Sequence, residues 1–261
     1  MDSQQPTTPC VSVIMPAHNA EATIQASIRS VLAQTLPDWE LIIINDASTD
    51  KTAELAKAFT DKDNRIHLLT NENNKGVAVS RNIGIEQSKG NDIAFLDSDD
   101  LWREDKLSKQ IEFMQATGAD ISYTATAYMY EETQSGYVLR AKRELTYKEL
   151  LKRNLMSCSS VMVKREVIAQ TPFVQGEYHE DYAAWMKILR KVKCAYGLDE
   201  PLLTYRSSRK SKSGRLLNSG VMTYLAYRHV GYITIVALFL TLRYALHSIS
   251  KRVLVRSVRQ N

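Results

Sequence analysis

The stretch Ile93-Ala94-Phe95-Leu96-Asp97-Ser98-Asp99-Asp100-Leu101-Trp102 sets three carboxylates within four residues directly behind an apolar run. Lys89-Gly90-Asn91 before it is a turn signal, so the run reads as a short buried strand. Clustered carboxylates at the end of such a strand lie at a sheet edge, where they repel one another unless a cation stands between them. Alone, the segment would read equally well as a solvated acidic turn.

Two other runs end in the same manner. Val11-Ser12-Val13-Ile14-Met15 stops at Pro16-Ala17-His18-Asn19, and Leu41-Ile42-Ile43-Ile44 stops at Asn45-Asp46-Ala47-Ser48-Thr49-Asp50. Near-continuous, β-branched runs of this length belong to a parallel sheet covered on both faces. Helical patterns follow them: Ile24, Ile28, Val31 and Leu32 share one face, and Leu55, Ala56 and Phe59 make a shorter stripe. Alternating strands and helices predict an α/β fold of right-handed βαβ units, with ligands bound outside the carboxyl ends of the strands. Pro16, Asp46 and Asp97 all fall there.

The chain has 261 residues, 44% of them hydrophobic, enough for a sizeable core. Its three cysteines, Cys10, Cys158 and Cys194, are widely spaced and form no metal-binding pattern, which suits reduced thiols in the cytoplasm. The polar segment 1–9 lacks the apolar core of a signal peptide. Charge is divided near Pro201: the segment 201–261 carries eleven Lys/Arg and no acid, leaving 23 basic against 29 acidic residues in the first 200, a balance of −6. A basic tail calls for an anionic partner, nucleic acid or membrane. The apolar run from Gly231 to Leu242 is shorter than the ~20 residues that span a bilayer. It fits a helix lying in a lipid interface better than a nucleic-acid contact; the other reading is a helix packed on the protein.

In order along the chain, Val11–Asn19, Asn45–Asp50, Ser80-Arg81-Asn82-Ile83-Gly84 and Asp97-Ser98-Asp99-Asp100 resemble the family 2 glycosyltransferases of the GT-A fold. That fold is Rossmann-like, with a mostly parallel sheet and helices on both faces. The resemblance runs from about Val11 to Arg206 and comes nearest to bacterial enzymes of surface-polysaccharide synthesis, of the teichuronic acid or O-antigen type. It implies an inverting transfer from a nucleotide-diphosphate sugar, UDP-linked by preference, to a lipid-linked saccharide, with Mn²⁺ or Mg²⁺ as cofactor. Pro16 and Asn19 would shape the first nucleotide turn, Asp46 would accept a hydrogen bond from uracil N3–H, and Arg81 would lie in the nucleotide-contacting segment. Arg81 otherwise reads as a surface cation on a helix. Asp99 is the implied metal ligand, Asp97 serves the ribose or the metal shell, and Asp100 orients its neighbours. Glu180-Asp181-Tyr182-Ala183-Ala184-Trp185 resembles the family's ED-x-x-x-W helix start and makes Asp181 the general base, with Glu180 as the alternative.

Ala47 stands where the family often has Gly, so its turn either avoids positive φ or carries strain. His18 replaces the family's common Tyr. The alternating segment 120–130 predicts a strand leading to a hairpin or loop around Gln134-Ser135-Gly136, and Met156–Val161 returns towards the acceptor side. The expected organisation is a catalytic domain, 1–206, with donor binding in 10–102 and acceptor and base in 103–206. A membrane-associating tail, 207–261, follows, so that the enzyme works in the cytoplasm on the inner face of the membrane. A chain ending near Arg206 should then fold and bind donor. The competing function is another nucleotide-binding α/β protein or a nucleic-acid-binding one; no Gly-x-Gly-x-x-Gly follows the first strand, as dinucleotide binding would require.

Overall fold

The three apolar runs become parallel neighbours in one sheet. The computed structural model describes the backbone of residues 9–130, 133–207 and 216–258, and side-chain surroundings for these except at 130, 133–136, 207, 216–218 and 247–258. The first half alternates strand and helix: β1 (Val11–Ala17), α1 (Ile24–Leu32), β2 (Trp39–Asn45), α2 (Thr52–Thr60), β3 (Ile66–Thr70), α3 (Val77–Gln87) and β4 (Asp92–Phe95). Then come β5 (Leu101–Trp102), α4 (Lys106–Thr117), β6 (Ile121–Tyr130), β7 (Thr133–Leu139), β8 (Glu144–Leu145) and α5 (Tyr147–Leu150). A 3₁₀ turn (Cys158–Ser160) leads to β9 (Val161–Lys164), α6 (Arg165–Ala169), α7 (Glu180–Ile188), β10 (Ala195–Ser207), α8 (Leu216–His229) and α9 (Thr234–Val258).

The sheet order is β3-β2-β1-β4-β9-β6-β10-β5. β3, β2, β1 and β4 are mutually parallel, β9 is antiparallel to both β4 and β6, and β10 is parallel to β6. The chain leaves β1 for β2 on one side and reaches β4 on the other. Order therefore reverses between β1 and β4, the place where open α/β sheets hold their ligands.

Successive side chains point to opposite faces, and both faces are covered. Ile14, Ile42, Ile44 and Phe95 share a cluster with α3, α7 and α8, while Val13, Met15, Leu41 and Ile43 pack with α1, α2 and α4. This is why β1 and β2 are buried along their whole length. The α/β architecture matches the expectation from sequence.

Two expectations are refined. Of the hairpin and the loop expected around residues 134–136, the structure has the hairpin: they lie within β7, antiparallel to β6. The described parts of α8 and α9, expected as a separate tail, share the core of the preceding domain. Ala226, Tyr227, Val230, Ala237 and Leu240 are buried in the same cluster as Phe95 and Trp185. The Tyr227 hydroxyl donates to the Leu151 carbonyl at 2.8 Å, the Tyr182 hydroxyl donates to that of Leu150 at 2.9 Å, and the two phenols meet at 3.0 Å. The opposite side of α9 remains apolar and exposed, as an interfacial helix requires: Ile235, Leu238, Phe239, Leu242 and Leu246 are each more than half exposed. One face of the segment is packed on the protein, as the second reading had it, and the other stays exposed. Among the described residues no helix is long and apolar enough to cross a membrane. The basic residues Arg209, Lys210, Lys212, Arg215, Lys251, Arg252, Arg256 and Arg259 lie outside the described side chains.

A chain ended at Arg206 loses the buried Ala226, Tyr227 and Val230, which changes the outcome expected from sequence. It should melt well below the full chain and expose apolar surface to a reporter dye. A truncated protein with the full chain's cooperative transition and Tm would contradict the shared core.

Candidate active site

The site starts with two stitched turns at the carboxyl ends of β1 and β2. Asn19 and Ala47 both adopt left-handed backbone, φ 50° and 53°. For Ala47 the strain foreseen from the missing glycine is real, since an L side chain there costs about 1–2 kcal/mol. Cross-bonds hold the pair in place. The Asn19 N–H donates to Ser48 Oγ at 3.1 Å, the Thr49 N–H donates to Asn19 Oδ1 at 2.9 Å, and His18 Nδ1 donates to the Asp46 carbonyl at 2.7 Å. Pro16 and Ala17 continue β1 beside Ile44 and Asn45.

Asp46 is 4% exposed at the end of β2. Its Oδ1 accepts from the Asn71 amide at 2.7 Å and from the Lys75 N–H at 2.8 Å, and its Oδ2 accepts from the Gly76 N–H at 2.8 Å. Burial works against its charge, but the bonds from Lys75, Asn71 and Gly76 outweigh it and hold the carboxyl below its usual range. One lone-pair direction on Oδ2 has no protein donor in this set. Gly76 makes the arrangement possible: its φ is +85°, and a Cβ there would stand 2.6 Å from the Gln175 side chain.

Arg81 is not a surface cation. It is 3% exposed, and its guanidinium donates from Nη2 to Asp97 Oδ1 at 2.7 Å and from Nη1 to Glu180 Oε1 at 2.8 Å. The Phe173 ring lies 5.5 Å from the guanidinium carbon and packs edge-on against Phe95 and Trp185. One cation thereby joins α3, the end of β4 and the start of α7.

The carboxylates after β4 take different positions. Asp97 is part-exposed, and its backbone N–H donates to Ser159 Oγ at 3.0 Å. Asp100 is buried, accepts the Arg206 N–H at 3.1 Å, and is hydrogen-bonded to Ser159. Burial, then the charges of Asp99 and Asp97, push it well above the normal carboxylate range, which suits an orienting role rather than a ligand. Asp99 is exposed to solvent, but protein around it still desolvates its carboxyl. That burial, with the Asp97 charge, raises its carboxyl to about 6. Trp102 is core: it is buried, donates to the Ser159 carbonyl at 2.8 Å, and its ring lies 4.0 Å from Lys106 Nζ.

Asp181 opens α7 beside Glu180, where the helix N-terminus favours an anion. Its Oδ1 accepts the Tyr182 N–H at 2.7 Å. Burial and the Glu180 charge raise it to about 6, against the opposing pull of His179 and Arg81. Tyr244 of α9 packs 5.8 Å from the Tyr182 ring and lies within electrostatic reach of Asp181. Pro16, Asn19, Asp46, Arg81, Asp97, Asp99 and Asp181 therefore gather at one end of the sheet. Residues that sequence reasoning passed over are Asn71, which orients Asp46, Ser159, which ties Asp97 to Asp100, and Phe173 under Arg81. The run Ser157-Cys158-Ser159-Ser160 was a visible signal for the second; nothing local marked the others.

The glycosyl transferase family 2 model matches residues 12–169. The chain belongs to that family, and it is a glycosyltransferase. It is 37% identical over 246 residues to TuaG of Bacillus subtilis (strain 168), named for teichuronic acid biosynthesis, covering 94% of this chain and 98% of that one. It is 41% identical over 182 residues, 69% of this chain and 70% of the other, to WfgD of Escherichia coli, a UDP-Glc:alpha-D-GlcNAc-diphosphoundecaprenol beta-1,3-glucosyltransferase. The fold is that of solved GT-A glycosyltransferases. S. aureus TarS in complex with UDP-GlcNAc superimposes with TM-score 0.70 at 18% identity, covering 90% of this chain and 71% of that one. The mannosyltransferase PcManGT from Pyrobaculum calidifontis, solved with GDP-Man and Mn²⁺, gives 0.69 at 17% identity, over 94% and 75%.

Replacing Arg81 by Met should cost about 3–5 kcal/mol, because Asp97 and Glu180 would keep their charges without the cation. Chemical denaturation measures this. An Arg81→Met protein within 1 kcal/mol of the parent, an order-of-magnitude threshold of about one ordinary hydrogen bond, would show that the bridge is not structural.

Proposed function

We propose that the protein is an inverting, metal-dependent glycosyltransferase that moves a sugar from a UDP-sugar to a lipid-linked saccharide during bacterial surface-polysaccharide synthesis, at the inner face of the membrane. The observation that carries the reading is Asp181. It is a carboxylate raised to about 6 at a helix start, and Arg81 joins that helix to the acidic turn after β4. A base with a pKa near working pH is charged in use and still has driving force to take a proton. Asp181 takes the proton of the acceptor hydroxyl as that oxygen attacks the anomeric carbon from the face opposite the leaving diphosphate.

On the donor side, Asp46 stays ionised and accepts from uracil N3–H through its remaining Oδ2 direction, while the Asn19 and Ala47 turns carry the nucleoside. Arg81 holds Asp97 by Oδ1, and the Asp97 side chain stays part-exposed. The residues fit a divalent cation. Asp99 and Asp97 are hard oxygen donors whose mutual repulsion a cation relieves, and Mg²⁺ or Mn²⁺ typically takes one or two carboxylates with substrate phosphates completing its shell. No group of three or more His, Cys, Asp or Glu side chains suited to a metal is found among the described residues. When bound, the ion would neutralise charge growing on the departing diphosphate. The donor and acceptor printed for WfgD, the teichuronic acid name of TuaG and the UDP-GlcNAc held by TarS support the substrate classes. The exposed apolar side of α9 supports a membrane surface over nucleic acid as the tail's partner.

Asp181→Asn should leave donor binding intact and lower kcat by about 10²-fold or more. In the parent, kcat/KM should fall as pH drops below about 6, where Asp181 takes up its proton. The same raised value means that ionisation costs folding stability, increasingly so from about pH 4, the unfolded carboxylate value, to pH 6. Asp181→Asn should therefore keep or raise the Tm at neutral pH. UDP-sugar binding should weaken on chelation and in Asp99→Ala. Equal loss of donor binding in Asp181→Asn would make it a binding residue, and chelator-insensitive binding would remove the metal from the reading.

A further inference from the structure

At the end of α7 remote from Asp181, a cavity of about 350 Å³ is lined by Gln170, Thr171, Pro172, Val174, Lys187, Arg190 and Lys191. Three of these are cations, and their hydrogen bonds go to neutral partners. Lys187 Nζ donates to His229 Nε2 at 2.8 Å, Arg190 donates to the Tyr147 hydroxyl at 3.0 Å and to the Val230 carbonyl at 2.7 Å, and Lys191 reaches the Gln170 carbonyl at 3.4 Å. Among the described residues none of the three forms an ion pair with a carboxylate. The Thr171 hydroxyl is buried there with no hydrogen-bond partner. Cations at a helix C-terminus complement its dipole, but that alone does not account for crowding. Burial and Arg190 lower the Lys187 pKa, and burial and Lys187 lower that of His229, as expected where positive charge is concentrated without an anion.

The same cations touch the turn between α8 and α9. Arg190 holds the Val230 carbonyl and lies 5.5 Å from the Tyr232 ring. The exposed apolar side chains begin with the next residue, Ile233, and continue through Ile235, Leu238, Phe239, Leu242 and Leu246 on one side of α9. The spacing i, i+3, i+4, i+7 makes a single stripe. A strip of apolar surface starting at an unneutralised basic pocket has the chemistry of an anionic lipid surface: phosphate headgroup at one end, acyl region along the stripe.

We propose that the Lys187–Arg190–Lys191 pocket binds the phosphate headgroup of an anionic membrane lipid and, with the α9 stripe, seats the enzyme on the bilayer. The proposal rests on the membrane-surface acceptor of the function proposed above, and adds a headgroup site outside the basic tail. Tyr244 lies on α9 between Leu242 and Leu246 but packs inward on Tyr182, so the seated stripe and the Asp181 side are about one helix diameter apart, ~10–12 Å. An acceptor sugar close to its lipid diphosphate spans that distance.

The test uses the full chain and vesicles of phosphatidylcholine with or without phosphatidylglycerol. Lys187→Gln/Lys191→Gln spares Arg190, which also supports the turn, and should weaken binding to the phosphatidylglycerol vesicles by about tenfold or more. A control double variant, Lys57→Gln/Lys62→Gln, should bind as the parent does. Leu238→Gln/Phe239→Gln should lose the salt-resistant part of binding. Free inorganic phosphate should compete weakly, because it cannot engage the stripe. Metal-dependent UDP-sugar hydrolysis in solution is measured in parallel and should be the same in parent and pocket variant, which separates loss of seating from failure of the transferase reading. Parent-like vesicle binding by Lys187→Gln/Lys191→Gln, or an equal loss in the control, would overturn the proposal.

Discussion

A guanidinium taken out of water must bring its counter-charges with it, and Arg81 does so with residues far away in the chain. At 3% exposure it binds Asp97, sixteen positions on, and Glu180, ninety-nine positions on. Removing water strengthens each ion pair and makes the loss of any partner costly. α3, the acidic turn after β4 and the start of α7 are therefore fixed relative to one another by charge as well as by packing. The carboxylates proposed for the reaction are close in sequence to those in the bridge: Asp99 follows Asp97 by two residues and Asp181 follows Glu180 directly. The bridge fixes the backbone next to Asp99 and Asp181, whose carboxyls burial raises to about 6 against the pull of nearby cations.

The far end of α7 is built on the same helix and serves another surface. Its inward side chains, Tyr182, Trp185 and Met186, are buried under β4, α8 and α9, so a helix that starts at Glu180-Asp181 finishes beneath the turn that begins the apolar stripe. α9 is two-sided for the same reason. Ala237 and Leu240 pack inward, Tyr244 approaches Tyr182, and the outer side stays apolar and uncovered. The proposed seating surface and the proposed base are therefore linked through the packing of α7 against α8 and α9.

Much of this was legible in the residues. Buried parallel strands need continuous apolar runs, so Val13–Met15, Leu41–Ile44 and Ile93–Leu96 announced themselves, and the polar residues that end them fell at the strand ends where the ligand binds. Glu180-Asp181 was legible as a helix start. The state of Arg81 was not, because its burial depends on two carboxylates that are close only after folding. Nor was the partnership of Asp46 with Asn71, for which an Asn in a loop gives no periodic signal. Around residues 134–136 hairpin and loop stayed open because Ser and Gly favour a turn; pairing of β7 with β6 decides for the hairpin. The division near Pro201 marked a change in charge, not in packing. The hydrophobic cluster runs through it, because Tyr227 and Ala237 answer to Tyr182 rather than to the composition of their own segment.

The central claim is a single displacement with Asp181 as base on the face opposite the leaving diphosphate. The anomeric configuration of the product, read from its one-bond carbon–proton coupling by NMR after transfer from an α-linked UDP-sugar, tests it most directly. The account predicts a β-linked product. An α-linked product would mean that configuration is retained, and would contradict the assignment of Asp181 and the geometry built around it.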